Sequence, residues 1–370
     1  MLDWLLFSAI SFTVLVAFLI SLTNYLDAPL LKIPTVPPFP SHTTLSVLIP
    51  ARNEAENLPR LLSSLKEQSL NPLEILLLDD CSEDDTSTVI ADYQEKLPHL
   101  GYLQGKPLPR GWKGKNWACH QLSLKAKGDY LLFLDADVIL SPRALESALI
   151  MANQKHTDLL SIFPSQETIS FGEKLVIPLM YWILLAFLPL RLVYKSQNPL
   201  FRAANGQFML FTRQAYMKSG GHAGVASAIV EDMALAFRVK AADMNLLTLL
   251  GGELIYCRMY HNFKDACRGF TRSFFPGFSL QALPFTLLLL FFTLPFFLPL
   301  AFAFMFPFYF LPLFFILFTR LLINRLSGKL SLFFTLLFHP LQMLLLVYLG
   351  LRSVIKTKRG TLTWKNRLLD

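Results

Sequence analysis

From Trp4 to Leu22 the chain carries no charge, a run long enough for a helix to cross a hydrocarbon core of about 30 Å. No basic stretch precedes it and no small-residue cleavage site follows. The pattern therefore predicts a retained anchor over residues 1–27, not a cleaved leader. Residues 28–43 then hold Pro29, Pro34, Pro37, Pro38 and Pro40. Proline at that density disfavours helix and sheet and predicts a stiff connector. From Thr44 the pattern changes. LSVLIP (45–50), LEILLLDD (73–80) and YLLFLDAD (130–137) are short, nearly continuous apolar runs, with helical spacing between them. Such runs separated by helices predict a parallel sheet covered on both faces, whose ligand sits beyond the carboxyl ends of the strands. Those ends carry Pro50, Ala51 and Glu54, then Asp79 and Asp80, then Asp135 and Asp137.

The apolar pattern returns near the C-terminus. Leu283–Phe318 has no charge but several prolines, and Leu330–Leu351 is a further uncharged run. These predict a transmembrane region over 279–351 and a basic tail over 352–370. The positive-inside rule puts both the cluster Arg320, Arg325, Lys329 and the tail in the cytoplasm. Three crossings after residue 279 would place the tail outside, so one apolar segment is expected to be re-entrant or interfacial. Leu175–Leu190 is also apolar and borderline for spanning. A crossing there would separate Asp135 and Asp137 from Glu231 and Asp232, so an interfacial or docking helix about 175–190 is expected within a domain spanning 44–278.

Composition sharpens this picture. The chain is 53% hydrophobic and 16% charged, with mean hydropathy +0.44, too apolar for a fully soluble, disordered or collagenous protein. The net charge of +8 comes from the distal third, where no acidic residue separates Asp265 from Asp370 while eleven Lys and Arg lie between. A hydrophobic, basic end fits a membrane surface and no nucleic acid. Cys81, Cys119, Cys257 and Cys267 show neither C-x-x-C nor zinc spacing and read as reduced thiols.

Candidate chemistry gathers on four segments. Asp135-Ala136-Asp137 ends a buried strand with two carboxylates on one face, oxygen donors suited to Mg²⁺ or Mn²⁺. Asp79–Thr86 packs several carboxylates after another strand, where one can accept from a nucleobase or ribose. In Gly111–Asn116 two lysines sit in a Gly-rich loop without Walker spacing, suited to a diphosphate. Glu231-Asp232 precedes the helical run MALAFRVKAA and reads either as dipole stabilisation or as a general base.

Taken together, PARNEAENL, LLLDDCSEDDT, GWKGKNW, YLLFLDADV, NGQF and VEDMAL resemble the family-2 glycosyltransferases, over about residues 45–278. GWKGKNWACH, IVEDMALAFRVK and CRMY…GFTRSFFPGF are similar to the membrane-bound carotenoid glycosyltransferases of the diaponeurosporenoate type and to hopene-associated relatives. The resemblance implies an α/β GT-A nucleotide-diphospho-sugar transferase domain with a mixed, mostly parallel sheet between N- and C-terminal transmembrane helices. It implies that Pro50, Ala51 and Glu54 line the nucleotide pocket, Asp80 holds the base, and Lys115 lies near base or phosphate. Asp135 is expected at the ribose or metal and Asp137 as principal metal ligand. Gly206 and Gln207 would shape the sugar and acceptor pocket, with Asp232 the catalytic base and Glu231 beside it. The family's Q-x-x-R-W segment is replaced by Arg268–Phe274, which keeps Arg272, placed with the donor-binding residues, but lacks the Trp; processive polymer synthesis is not expected. The implied activity is inverting transfer of a hexose from a nucleotide sugar, of the UDP type, to a carotenoid or other isoprenoid lipid of the bilayer. A polyprenyl phosphate or sphingolipid acceptor, a nucleotidyltransferase and an inactive scaffold are the alternatives. The expected place is the cell membrane, multi-pass, with the catalytic domain cytoplasmic.

Overall fold

The computed structural model describes residues 2–34, 43–328, 330–365 and 367–369. Pro37, Pro38 and Pro40 of the expected connector lie outside them. The strands are β1 (Leu45–Ala51), β2 (Glu74–Asp79), β3 (Leu100–Gln104), β4 (Tyr130–Leu134), β5 (Val138–Leu140), β6 (Leu159–Phe163), β7 (Ser165–Gln166), β8 (Phe208–Thr212), β9 (Leu246–Leu250) and β10 (Ile255–Cys257). Helices used below are α1 (Leu2–Asp27), α2 (Leu58–Lys66), α3 (Thr86–Gln94), α4 (Gly114–Lys125), α5 (Ala144–Gln154), α6 (Phe171–Val176), α7 (Pro178–Phe187), α8 (Leu190–Lys195), α9 (Arg213–Lys218), α10 (Glu231–Ala241), α11 (Phe263–Phe278), α12 (Ala282–Phe302), α13 (Phe310–Ser327), α14 (Leu332–Leu337) and α15 (His339–Lys358). The chain divides into two compact units: a sheet unit, Leu30–Ser165 with Val193–Arg258, and a helical unit formed by the remainder. Residues 166–192 and 259–278, which the apolar pattern grouped with the sheet, cluster with the helical unit.

In the sheet unit seven strands run in the order β3-β2-β1-β4-β8-β6-β9. β1, β2, β3 and β4 are mutually parallel, as are β6 and β9, while β8 runs antiparallel to β4 and β6. The sheet is therefore mixed and mostly parallel. The apolar runs become its central strands because both faces are covered: Val47, Leu48, Ile49, Leu132 and Leu134 are wholly buried. After β1 the chain steps outward to β2 and β3, then returns past β1 to β4. That reversal opens a crevice at the carboxyl ends of β1 and β4, the place where open α/β sheets bind ligands. A small antiparallel pair, β5 with β10, follows the end of β4 and brings Cys257 opposite Val138.

Among its described residues the helical unit contains three helices long and apolar enough to cross a membrane: Asp3–Asp27, Ala282–Phe302 and Pro307–Ser327. Phe12, Leu287, Phe291 and Phe314 on them are exposed, as lipid contact would require. The run 330–351 does not join them. It breaks after Leu337, and α15 carries Arg352, Lys356 and Lys358 in its last turns. The stretch 175–190 is likewise too short to cross, since α7 has 10 residues and rises only about 15 Å. Asn24 of α1 explains where α7 stops. Its Nδ2 donates to the carbonyls of Leu185 and Leu188 at 3.0 and 2.9 Å, and its Oδ1 accepts from Leu190 N at 2.8 Å. Those bonds satisfy carbonyls that a helix end leaves open. Arg320, read from the sequence as part of an exposed basic cluster, is instead 2% exposed. Its guanidinium donates to His339 Nδ1 at 3.0 Å and lies 4.2 Å over the Trp182 ring.

Candidate active site

The site assembles at the end of β4. Asp135 N donates to Gln207 O at 3.1 Å, which fixes the 205–207 turn, just before β8, beside the two carboxylates. Gln207 Nε2 in turn donates to both oxygens of Asp137, at 3.2 and 3.1 Å, and contacts Cys257 Sγ. Asp137 is thus held by neutral groups, and among the described residues no lysine or arginine pairs with it.

Lys115 is placed by the Gly-rich loop. Asn116 Nδ2 donates to the carbonyls of Val225, Ala226 and Ala228 at 2.8, 3.0 and 3.0 Å, and Lys113 N donates to Ala226 O at 2.8 Å. The loop is thereby fastened to the segment that leads into α10. The Lys115 ammonium lies 2.7 and 2.8 Å from the two oxygens of Asp135 and 2.9 Å from Glu231 Oε1. The resemblance put this lysine near base or phosphate; the structure shows it between two carboxylates. Gly206 lies at the same point. A Cβ on it would stand 2.9 Å from both Glu231 Oε1 and Lys115 Nζ, so a side chain here would push that ion pair out of place. Its N–H donates to Asp232 Oδ2 at 2.8 Å, and Met233 N donates to Oδ1 at 2.6 Å.

These contacts separate the two neighbouring acids. Burial works against the charge of Glu231, but Lys115 outweighs it and holds its carboxyl below the usual range. Burial and then the charge of Glu231 push Asp232 up to about 6, although Lys115 and two backbone N–H groups oppose the shift. Burial also raises Asp135 to about 7, with Lys115 opposing and Asp137 adding to it. Lys115 itself loses by burial, yet Asp135 and Glu231 hold its pKa well above the ordinary lysine value. Adjacent groups with pKa values driven apart are the arrangement that acid–base chemistry uses.

A hard divalent cation fits this donor set. Asp135 and Asp137 offer carboxylate oxygens at the crevice, and among the described residues no lysine or arginine pairs with Asp137. No group of three His, Cys, Asp or Glu forms a cage among the described residues. One or two carboxylates completed by substrate phosphates is the usual form of a Mg²⁺-type site.

The ends of β1 and β2 form the neighbouring wall. Asp80 N donates to Ala51 O at 2.8 Å, and Pro50 and Ala51 register with Leu78 and Asp79. Asp80 is 2% exposed. Glu54 faces the start of α2, where its Oε2 accepts from Asn57 Nδ2 at 2.7 Å. The sequence reading did not single out Arg52, which offsets the acidic loop. It donates to the carbonyls of Asp80 and Cys81 at 2.7 Å each and to Glu83 at 3.0 Å. Cys257 was missed as well, because its relation to Gln207 exists only once β10 has paired with β5. Lys115, Asp135, Asp137, Gly206, Gln207, Glu231 and Asp232 therefore form one constellation, with Pro50, Ala51, Glu54 and Asp80 on adjacent strand ends. Arg272 is not among them. It belongs to the helical unit, in a cleft with Arg268, Arg352 and Lys356.

The mixed sheet, with acids at the carboxyl ends of its central strands, has the arrangement of a GT-A fold. Residues 46–219 match the family model for glycosyl transferase family 2. The fold also matches a mannosyltransferase from Pyrobaculum calidifontis in complex with GDP-Man and Mn²⁺, at a TM-score of 0.54 and 16% identity over 98% of this chain and 100% of that one. The chain is 29% identical over 239 residues to the 4,4'-diaponeurosporenoate glycosyltransferase of Staphylococcus haemolyticus (strain JCSC1435), covering 64% of this chain and 62% of that protein. It is 28% identical over 244 residues to the protein of the same name from Staphylococcus aureus (strain MRSA252), with the same coverage. The match thus spans less than two thirds of these curated relatives.

Proposed function

We propose that the chain is an inverting glycosyltransferase that moves a hexose from a nucleotide-diphospho-sugar, of the UDP type, to a hydrophobic acceptor in the membrane, a carotenoid or other isoprenoid lipid. The observation that carries this reading is the placement of Glu231, ion-paired with Lys115, and Asp232, held by Gly206 N and Met233 N, beside the Asp135–Asp137 pair. Asp232 then removes the acceptor proton as the hydroxyl attacks the anomeric carbon. Gly206 N and Met233 N fix the direction of its carboxylate. Lys115 positions Glu231 and Asp135. Asp137 and Asp135 would hold Mg²⁺ or Mn²⁺, which when bound neutralises charge on the departing diphosphate. Pro50, Ala51, Glu54 and Asp80 line the nucleotide side of the crevice. The curated relatives named for a carotenoid acid, together with the membrane-length helices, support the lipid acceptor.

Three crossings by α1, α12 and α13 put residues 28–281 and 328–370 on one side of the bilayer. That count would remove the parity conflict of the sequence pattern, and the basic tail supports a cytoplasmic side for this part of a multi-pass membrane protein.

The test is lipid extraction after membranes bearing the protein are incubated with radiolabelled UDP-glucose, Mn²⁺ and total bacterial lipids, with Asp137→Ala in parallel. Label in an organic-soluble product, lost in the variant, is the expected result. Absence of label with every nucleotide sugar tried would remove this activity, and label retained from the nucleotide instead of the sugar would indicate nucleotidyl transfer.

A further inference from the structure

Arg272 stands in a cleft of the helical unit that the catalytic reading leaves unexplained. Arg268, Thr271 and Arg272 of α11, Arg352 and Lys356 of α15, and Thr363 line it. Four cations share this space. Arg268 approaches Asp265 only at 3.9 Å, with both side chains exposed. Among the described residues no carboxylate pairs with Arg272, Arg352 or Lys356. Like charges held this close call for an anion.

A second observation is independent of charge. Thr271 is 2% exposed, yet its Oγ1 has no hydrogen-bond partner. A buried hydroxyl left unsatisfied is destabilising, so such a group in a cleft marks a place where a ligand oxygen belongs. The backbone around it is fixed. Ser353 Oγ donates to Thr271 O at 2.6 Å and accepts from Phe275 N at 3.0 Å, tying α11 to α15 at the level of the cleft.

A third observation selects the kind of anion. The outer face of α15 next to the cleft is apolar and open: Tyr348, Leu351 and Ile355 are 54%, 41% and 50% exposed. A soluble phosphate has no use for such a flank, whereas acyl chains do. We infer that this cleft binds the phosphate of an anionic phospholipid headgroup, with Arg272, Arg352 and Lys356 around the phosphate oxygens, the Thr271 hydroxyl donating to one of them, and the acyl chains along Tyr348, Leu351 and Ile355. The inference is independent of the transfer reaction proposed above.

Calorimetric titration of the full chain in a neutral detergent tests it. Dioctanoyl phosphatidylglycerol is the probe, and dioctanoylglycerol, inorganic phosphate and UDP are the comparisons. The phospholipid is expected to bind, and dioctanoylglycerol to bind at least about tenfold more weakly, since charge-assisted bonds of about 1.5–3 kcal/mol are lost. Arg272→Gln should weaken the phospholipid by about tenfold or more, and Thr271→Val by a few-fold without lowering the unfolding midpoint. Lys356→Gln, at the half-exposed rim, is the variant least dependent on folding and should also weaken it. Equal affinity in the variants and the parent, or for the two lipids, overturns the assignment. So does displacement of the phospholipid by inorganic phosphate or UDP at equal concentration, which would mark a soluble-phosphate site.

Discussion

At the residue scale the site rests on one crowded point, where Gly206, Lys115, Glu231 and Asp232 meet. Gly206→Ala puts a Cβ 2.9 Å from two charged atoms that bind each other, so neither can move away without breaking an ion pair. We expect turnover to fall by about 10²-fold, the scale on which small misplacement of reacting groups acts, with little change in thermal unfolding. Asp232 gives a sharper prediction. A carboxylate accepts a proton only when ionised, so with a hydroxyl acceptor kcat/KM should fall as pH drops through about 6. Asp232→Asn should abolish that acid limb and cost about 10²–10⁴-fold. With a carboxylate acceptor, already ionised and needing no base, the same variant should lose far less. Rate–pH profiles of parent and variant on both acceptor types separate the two cases. The acids were legible in the sequence because D-x-D and E-D are local patterns at strand and helix ends. The place of Lys115 was not, since its two partners come from distant segments that only the assembled sheet brings together.

At the element scale the legible parts are those whose burial is decided locally. β1, β2 and β4 were readable because an unbroken apolar run between polar ends has few other places to go. A short helix within 175–190 was readable too, but not its end at Phe187, where Asn24, far away on α1, takes the last carbonyls. Nor was Arg320, whose sequence neighbours suggest a cytoplasmic fringe while its partners are Trp182 and His339. Arg320→Ala removes a fully buried side chain and leaves His339 Nδ1 without its donor. The expected loss is about 2–4 kcal/mol, from the cavity and the unpaired nitrogen together. It should read out as a lowered unfolding midpoint in detergent, with transferase activity per folded molecule unchanged. An unaltered midpoint would show that the buried arginine does not hold α13 against its neighbours.

At the scale of the whole molecule, sequence alone left the number of crossings open, because hydropathy measures length and apolarity but not where a helix breaks. The break after Leu337 and the charged last turns of α15 leave three membrane-length helices among the described residues, and the topology proposed above has α12 and α13 both crossing. This count makes a prediction that needs no activity. Cys81 is the exposed one of the four free cysteines, so it reports the side of the sheet unit. Thr361, just beyond α15, and Met305, between α12 and α13, are both exposed. In sealed inside-out vesicles an impermeant maleimide should label Cys81 and Thr361→Cys. Met305→Cys, studied with Cys81 replaced by serine, should react only after the bilayer is permeabilised. If Thr361→Cys behaves like Met305→Cys, the 330–351 segment crosses after all. The basic tail then lies on the opposite side from the sheet unit, against the positive-inside rule that its lysines and arginines otherwise satisfy.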